Sequence, residues 1–268
     1  MIGVILAAGC GTRLAGSNIV RPKCLAPFDG TALIDLQIGA LRACSVDDIV
    51  VVVGFEADHV RRSCPPEVRF IENAQFAETN SLYSLWLSRG LLAHGFVMLN
   101  CDVLFDPQML MDLLTARHPD ALLVSYPASG DAPFGEEEMK VKVRAGRVVD
   151  IRKDLPAGEV DGENVGIVKF SASGAARLVR ILDQFVGAGS VREWAPRAFR
   201  EFAREASLYA IGTRGLPWIE IDTPADYRRA TVQVFPAIRA AVGGLTRSCD
   251  HTSVASPSPV PLLRQGRH

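Results

Sequence analysis

The first feature of the sequence that could do chemistry is a glycine-rich turn directly after an apolar segment, Ile2–Ala7. Gly9 and Gly11 permit backbone conformations that other residues resist, and successive N–H groups in such a turn bind anions. Arg13 and Lys23 follow a few positions later and supply positive charge. This arrangement predicts a binding site for the phosphates of a nucleotide.

Two common nucleotide-binding classes fit this turn poorly. Dinucleotide-binding proteins need a third glycine where this chain has Leu14, which disfavours a nicotinamide-dependent oxidoreductase. P-loop proteins need a lysine directly after the second glycine of their loop, and none follows Gly11. Glycine-rich turns are common after strands, so the turn alone is weak evidence for a nucleotide site. The alternative for Lys23 is an ordinary lysine on the protein surface.

Carboxylates at the ends of predicted strands are candidate metal ligands. Asp102 ends the run Phe96–Cys101, so we expect it at the sheet edge where open α/β folds bind ligands. Glu220 and Asp222 lie two residues apart, which places both on one face of a strand. A divalent cation held there would neutralise charge that builds up on phosphates during transfer. The alternative for Asp222 is a helix cap, because Pro224 suits a first helical turn.

Two spaced segments, LAAGCGTRL at Leu6–Leu14 and RPKCL at Arg21–Leu25, together resemble the signature of the sugar-phosphate nucleotidyltransferase superfamily. The resemblance implies that Arg13 and Lys23 stabilise charge on the nucleotide phosphates as pyrophosphate leaves. It also implies that Asp222 joins Asp102 as a ligand of Mg²⁺. The residues implied to bind the nucleotide in this part of the chain are Leu6, Ala7, Ala8, Gly9, Gly11 and Thr12.

Three later segments narrow the resemblance to the phosphocholine, inositol-phosphate and aminoethylphosphonate cytidylyltransferases: Asn73–Leu85, Gly146–Lys153 and Gly162–Phe170. An amide or hydroxyl side chain can bond to the edge of a base, so Asn80 or Ser84 is predicted to read cytosine. The alternative for Asn80 is a helix cap.

Lysines further along the chain are candidates for binding the acceptor. Lys140 and Lys153 are predicted to hold its phosphate as cationic point charges. The alternative for Lys140 is a solvated position in a hairpin. No dense aromatic cluster of the kind that binds a quaternary ammonium is evident in the sequence.

The resemblance implies a cytidylyltransferase that transfers CMP from CTP to a small phosphate or phosphonate acceptor with release of pyrophosphate. A sugar-1-phosphate nucleotidyltransferase that uses UTP, GTP or dTTP is the alternative. The sugar enzymes commonly have glycine before the metal aspartate, whereas this chain has Cys101, so the choice of nucleotide stays open. A catalytically inactive nucleotide-binding module is a third class. The presence of Lys23, Asp102 and Asp222 together argues against it.

The composition limits the partners and the location. The 268 residues are 48% hydrophobic and 22% charged, which predicts one sizeable core. A net charge of -1 provides no basic surface for nucleic acid. The six scattered cysteines favour reduced thiols, and no apolar stretch approaches the ~20 residues of a membrane span. We expect a cytoplasmic protein without membrane contact, with a homodimer as one option.

Alternating apolar and amphipathic segments predict an α/β fold, a Rossmann-like mixed, mainly parallel sheet flanked by helices. We expect a nucleotidyltransferase domain at 1–242, with a small β-rich acceptor-binding lobe at about 127–170 and a disordered Ser/Pro-rich tail at 243–268. The predicted strands are Ile2–Ala7, Ile49–Val53, Val68–Ile71, Phe96–Leu99, Ala121–Ser125, Val165–Phe170 and Trp218–Ile221, with a hairpin of Met139–Val143 and Val148–Ile151. The predicted helices are Ala32–Ala43, Asn80–Leu92, Pro107–Arg117, Ala172–Val186, Val191–Arg204 and Pro224–Phe235.

Overall fold

The computed structural model describes residues 1–11, 22–128 and 134–241. Thr12, Arg13 and the tail predicted for 243–268 lie outside the described residues. The strands are β1 (Ile2–Ala7), β2 (Pro27–Phe28), β3 (Thr31–Ala32), β4 (Ile49–Val53), β5 (Arg69–Glu72), β6 (Phe96–Asn100), β7 (Val103–Phe105), β8 (Ala121–Ser125), β9 (Lys140–Arg144), β10 (Arg147–Arg152), β11 (Gly162–Phe170), β12 (Tyr209–Gly212) and β13 (Trp218–Glu220). The α-helices are α1 (Leu33–Ala43), α2 (Ala57–Ser63), α3 (Ser81–Leu87), α4 (Pro107–Thr115), α5 (Ala172–Gly187), α6 (Ala195–Glu205) and α7 (Pro224–Arg229).

Nine of these strands form one mixed sheet in the order β5-β4-β1-β6-β11-β8-β12-β10-β9. The neighbours from β5 to β6 are parallel. β11 runs antiparallel to both β6 and β8, while β12 is parallel to β8. This arrangement confirms the mixed α/β class predicted from the sequence.

Helices cover both faces of the sheet, so its central strands are apolar on both sides. Val4 and Leu6 of β1 face the layer of α3, α5 and α6. Ile5 and Ala7 face the layer of α1 and α4. Successive side chains of a strand point to opposite faces, which explains why β1 reads as a continuous apolar run instead of an alternating one. In the described part of the chain, no helix has both the length and the apolar character to cross a bilayer.

Three predicted helices differ from the observed ones by more than two residues at one end. The predicted helix 80–92 is α3 followed by a 3₁₀ segment, Arg89–His94, which contains Gly90. The helix predicted from Val191 begins at Ala195, where Pro196 occupies the first turn. The helix predicted from Pro224 to Phe235 is α7 followed by a π-helical segment, Ala230–Val234.

The predicted hairpin forms β9 and β10, which are the last strands at one edge of the nine-stranded sheet. Gly162 and Glu163 of β11 pair with β9, and the rest of β11 pairs with β8 and β6. The segment predicted as a small lobe therefore shares its longest strand with the main sheet. Its part in acceptor binding stays a prediction.

Gly54, directly after β4, lies where two other segments approach the backbone closely. A Cβ atom on Gly54 would lie 2.7 Å from the Cβ of Phe76 and 2.8 Å from the carbonyl oxygen of Ala8. That carbonyl also accepts a hydrogen bond of 3.1 Å from the N–H of Phe55, which fixes its position. A side chain at position 54 would therefore displace the chain that follows β1.

We expect Gly54→Ala to lower the free energy of unfolding by about 1–3 kcal/mol, because the close-packed segments must move apart. Gly39→Ala is the matched control. Gly39 lies inside α1, where an added Cβ meets nothing within 4 Å, so this change should stabilise the protein by about 0.5–1 kcal/mol. Urea denaturation of both variants measures the effects, and equal stabilities would contradict the close packing at Gly54.

Candidate active site

A cavity of about 400 Å³ opens at the carboxyl ends of β1 and β6, which lie side by side and parallel. Open α/β sheets bind ligands at this edge, where the loops after the strands diverge. Most of the nucleotide-binding residues predicted from the sequence line this cavity. They are Leu6, Ala7, Ala8, Gly9, Gly11, Asn80 and Ser84.

Gly11 and Lys23 form one side of the cavity mouth. Gly11 has a φ of +58°, which favours glycine, and a Cβ on it would lie 3.0 Å from the Cγ of Lys23. Lys23 begins a short 3₁₀ turn after Pro22. The glycine thus makes room for the lysine stem, and the lysine reaches the cavity.

The ammonium group of Lys23 lies between two of the predicted metal ligands. Its Nζ atom is 3.4 Å from Oδ2 of Asp102 and forms an ion pair with Asp222. Burial lowers the pKa of Lys23, but the two carboxylates outweigh that effect and raise the pKa above its ordinary value. The lysine therefore keeps its positive charge in this site.

A short antiparallel ladder explains why Asp102 and Asp222 meet. β7 begins directly after Asp102 and pairs with β13, which ends directly before the segment of Asp222. The N–H of Ile221 extends this ladder by donating to the carbonyl of Asp102 at 2.9 Å. The backbone of two distant segments thus sets the distance between the two carboxylates.

The helix that follows Asp222, α7, is capped by Thr223, the residue next to Asp222. The hydroxyl of Thr223 accepts the N–H of Asp226 at 3.2 Å, and the carboxylate of Asp226 accepts the N–H of Thr223 at 2.8 Å. This is a capping box, and it satisfies the first N–H groups of α7. The cap is therefore Thr223, and the Asp222 side chain points instead toward Lys23.

Glu220 completes a group of three carboxylates with Asp102 and Asp222. One oxygen from each lies within 4.8 Å of the others. Burial, together with the two aspartates, raises the pKa of Glu220 to about 8, and burial also raises the pKa of Asp102. Three oxygen donors so close together suit a hard divalent cation such as Mg²⁺. The residues present therefore fit the predicted metal.

Gln37 fixes the loop that carries Asp102. This side chain, 1% exposed on α1, donates from Nε2 to the carbonyls of Asn100 at 2.9 Å and Val103 at 2.8 Å. The two carbonyls flank Cys101 and Asp102. Sequence analysis missed Gln37, although a glutamine in the apolar stripe of a helix was an available signal.

Neutral polar side chains also line the cavity: Asn73, Thr79, Asn80 and Ser84. The N–H of Asn73 donates to the carbonyl of Val53 at the end of β4, whereas Asp102 follows β6, and these two strands lie on opposite sides of β1. We call this neutral side the neutral wall. The side chain of Asn80 accepts the N–H of Ser81 at 2.8 Å at the start of α3, so Asn80 caps this helix and also lines the cavity. Ser84 is 4% exposed and faces the same space. Asn73 and Thr79 were not predicted.

The two lysines predicted to bind the acceptor have different surroundings. Lys140 is buried outside the cavity lining and donates to the carbonyl of Lys153 at 2.5 Å. The Nζ of Lys153 lies 2.9 Å from Glu137 and 4.7 Å from the ring centroid of Trp194. Trp194, which sequence analysis missed, lines the cavity. Lys153 therefore lies next to the cavity through its contact with Trp194, and Lys140 holds the backbone of Lys153 by a hydrogen bond. Contact of either lysine with an acceptor stays a prediction.

The sequence is similar to those of several known proteins. Residues 3–216 match the family described as the MobA-like NTP transferase domain. The chain is 30% identical to the bifunctional IPC transferase and DIPP synthase of Rubrobacter xylanophilus, over 84% of this chain and 50% of that protein. It is 27% identical to the choline-phosphate cytidylyltransferase of Streptococcus pneumoniae, over 85% of this chain and 96% of that protein.

A solved structure has the same fold. The inositol-1-phosphate CTP transferase from T. maritima superimposes with a TM-score of 0.71 at 21% identity, over 88% of this chain and 94% of that chain. The chain thus spans half the length of the Rubrobacter relative and nearly all of the other two proteins. These matches confirm the resemblance found in the glycine-rich turn and the later segments.

Glu163 on β11 is a titratable group beside this site. Burial and the neighbouring Glu138 raise its pKa to about 7, although Arg229 and Lys140 act in the opposite direction. In an unfolded chain a glutamate has a pKa of about 4.3. The folded state therefore binds this proton more tightly than the unfolded chain does. Protonation of Glu163 thus stabilises the fold at acidic pH, and this stabilisation is lost as the pH rises through about 7.

We expect Glu163→Gln, which cannot ionise, to gain stability relative to the parent protein as the pH rises from 5 to 8, by on the order of 2 kcal/mol. Denaturant unfolding at both pH values measures the change. Glu67→Gln is the control, because Glu67 is 67% exposed and its removal should leave the pH dependence unaltered. A stability difference for Glu163→Gln that does not vary with pH would contradict the shifted pKa.

Proposed function

Since the chain belongs to the MobA-like NTP transferase family, we propose that it is a cytidylyltransferase that transfers CMP from CTP to a small phosphate or phosphonate acceptor and releases pyrophosphate. The observation that carries the proposal is the meeting of Lys23, Asp102 and Asp222 in the cavity beside the glycine-rich turn. Two of the similar proteins are named for CTP or cytidylyl transfer and for a small phosphate, which supports both halves of the reaction.

The reaction needs one displacement at phosphorus. An oxygen of the acceptor forms a bond to the α-phosphorus of CTP, and the bond to pyrophosphate breaks, with the electron pair leaving on the pyrophosphate oxygen. Negative charge grows on the phosphates during this step. The charged ammonium of Lys23 lies where it can stabilise that charge, so positioning and electrostatics supply the catalysis.

The metal is part of the proposal. Mg²⁺, when bound, would neutralise phosphate charge and align the reacting oxygens. Asp102 and Asp222 would hold it, with Glu220 as a third oxygen donor in reach. Burial, together with repulsion from the two aspartates, raises the pKa of Glu220, and a cation bound among the three carboxylates would offset both effects. Mg²⁺ dependence, a cytoplasmic location and a homodimer stay predictions.

The acceptor is proposed to enter at the side of Trp194. The ammonium of Lys153 over the Trp194 ring places a positive charge at the cavity rim, where it would attract a phosphate or phosphonate. The hydrogen bond from Lys140 to the Lys153 carbonyl keeps this part of the hairpin in place. The organic part of the acceptor would then contact the exposed indole of Trp194.

A screen of CTP, UTP, GTP and dTTP against small phosphates and phosphonates tests this function. The panel includes choline phosphate, inositol phosphate, 2-aminoethylphosphonate and sugar 1-phosphates, with pyrophosphate release and product mass as readouts. We expect a CMP-linked product. Products formed only from a sugar 1-phosphate with UTP, GTP or dTTP would establish the alternative activity, and no pyrophosphate with any pair would indicate an inactive binding module.

We expect Lys23→Ala to lose about 2–4 kcal/mol of transition-state stabilisation, because the lysine acts on charge that develops as pyrophosphate leaves. Turnover at saturating substrates and the melting temperature in Mg²⁺ are the measurements. Lys142→Ala is the control, since this lysine pairs with Glu159 outside the cavity lining and should retain turnover. A Lys23→Ala protein with nearly unchanged kcat would refute the assigned role.

We expect Asp102→Asn and Asp222→Asn each to abolish Mg²⁺-dependent activity, because each removes a charged oxygen from the proposed metal site. Asp222→Asn should keep its melting temperature, since Thr223 caps the helix. Asp226→Asn is the matched control in the same segment. It weakens the capping box by about 1 kcal/mol and should keep activity across a Mg²⁺ titration. Full activity in Asp222→Asn would transfer the ligand role to Glu220.

A further inference from the structure

Asn73 lies at the neutral wall of the cavity with a side chain whose orientation is fixed. It is 1% exposed, and its Oδ1 accepts the backbone N–H of Gln75 at 3.0 Å. A backbone N–H is always a donor, so the amide oxygen must be the atom that faces it. The NH₂ group of Asn73 therefore faces the opposite way and donates both of its hydrogens there.

The two hydrogens of Asn73 reach two hydroxyl groups. Nδ2 is 2.9 Å from the Oγ1 of Thr79 and 3.1 Å from the Oγ of Ser84. Thr79 gives its own hydrogen to the carbonyl of Gln75 at 2.8 Å. Both hydroxyls thus accept from Asn73, and the hydrogen of Thr79 is used within the wall.

The hydrogen of the Ser84 hydroxyl has no partner within the wall. Ser84 accepts from Asn73, and within residues 1–11, 22–128 and 134–241 no acceptor for its own hydrogen is found. The side chain is 4% exposed and lines the cavity. The wall therefore presents Ser84 as a hydrogen-bond donor to whatever occupies the cavity.

The nucleobase is the part of a nucleotide that fits this wall. Lys23, Asp102 and Asp222 make the other end of the cavity charged, which suits the phosphates and their metal. α3 packs against β1, so Ser84 lies beside the end of that strand. A nucleotide with its phosphates at the charged end extends its base toward the neutral side chains.

We propose that Asn73 is a positioning residue that turns the Ser84 hydroxyl into a hydrogen-bond donor and thereby selects cytosine over uracil. The inference rests on the proposed use of CTP. The N3 atom of cytosine is a bare acceptor, whereas the N3 atom of uracil carries a hydrogen. Because Asn73 occupies one lone pair of Ser84, the hydroxyl offers its hydrogen readily to cytosine, whereas the N3 hydrogen of uracil would have to use the one remaining lone pair. The direction of one hydrogen bond thus favours cytosine over uracil.

Asn73→Asp tests the proposal by reversing this direction. The carboxylate still accepts the N–H of Gln75, but it has no hydrogen to give, so Ser84 donates to it and offers lone pairs to the cavity. The measurement is the dissociation constant of CTP and of UTP by calorimetry in Mg²⁺, which needs no acceptor. We expect the ratio of the UTP constant to the CTP constant to fall by about tenfold.

Two further variants show whether the effect passes through the hydroxyl. Ser84→Ala removes one oxygen and should lower the same ratio, so it also tests the proposal if Asn73→Asp does not fold. In the Ser84→Ala background, Asn73→Asp should have no further effect on the ratio. Asn164→Asp is the matched control, because Asn164 lies outside the cavity lining and is likewise buried, at 6% exposed. Its side chain also accepts a backbone N–H, that of Gly166 at 3.3 Å. It should keep the ratio of the parent protein.

The outcomes separate the inference from the proposed function. A parent protein that binds UTP, GTP or dTTP as tightly as CTP refutes the proposed use of CTP and, with it, the inference. A parent protein that prefers CTP, with an unchanged ratio in Asn73→Asp and Ser84→Ala, overturns the inference alone. Equal losses of affinity for CTP and UTP also overturn it, because they indicate a loosened wall instead of a reversed hydrogen bond.

Discussion

The repulsion among Asp102, Glu220 and Asp222 is the constraint around which the site is built. Their oxygens lie within 4.8 Å of one another, so ionising one carboxylate costs more when its neighbours are charged. Burial and this repulsion together raise the pKa of Glu220 to about 8. The fold keeps them together by backbone pairing of β7 with β13 and by the hydrogen bonds of Gln37. The ammonium of Lys23 offsets part of the negative charge. Rigid backbone thus maintains an arrangement that the side chains alone would not.

The two sides of the cavity meet different physical demands. In the proposed reaction, the charged end would act through electrostatic attraction, which reaches over several ångströms and tolerates small shifts of position. The neutral wall would act through the direction of single hydrogen bonds, which weaken steeply when the angle changes. This difference explains why Asn73 is held by three bonds and is buried, whereas Lys23 has a long, rotatable stem.

Local patterns in the sequence predicted the features that depend on local structure. The glycine-rich turn, the apolar strands β1, β4 and β8, and the two-residue spacing of Glu220 and Asp222 were readable because each lies within a short segment. β7 was not predicted, since the strand that it pairs with, β13, lies far away in sequence. Gln37 and Trp194 were missed because the groups that they contact are distant in sequence. Asn73 was missed although its partners are near in sequence, because only the fold shows that its side chain turns toward Thr79 and Ser84. Asp222 and Thr223 are both good capping residues before a proline, and only the geometry separates them.

The capping box beside Asp222 has an evolutionary consequence. Because Thr223 and Asp226 start the helix, the carboxylate at 222, a proposed metal ligand, has no share in starting it. A duplicated gene whose product had lost this carboxylate would still encode a folded chain, which cellular quality control would not remove. Such a lineage would keep the shape of the cavity. In the proposed enzyme, this single substitution would separate nucleotide binding from turnover.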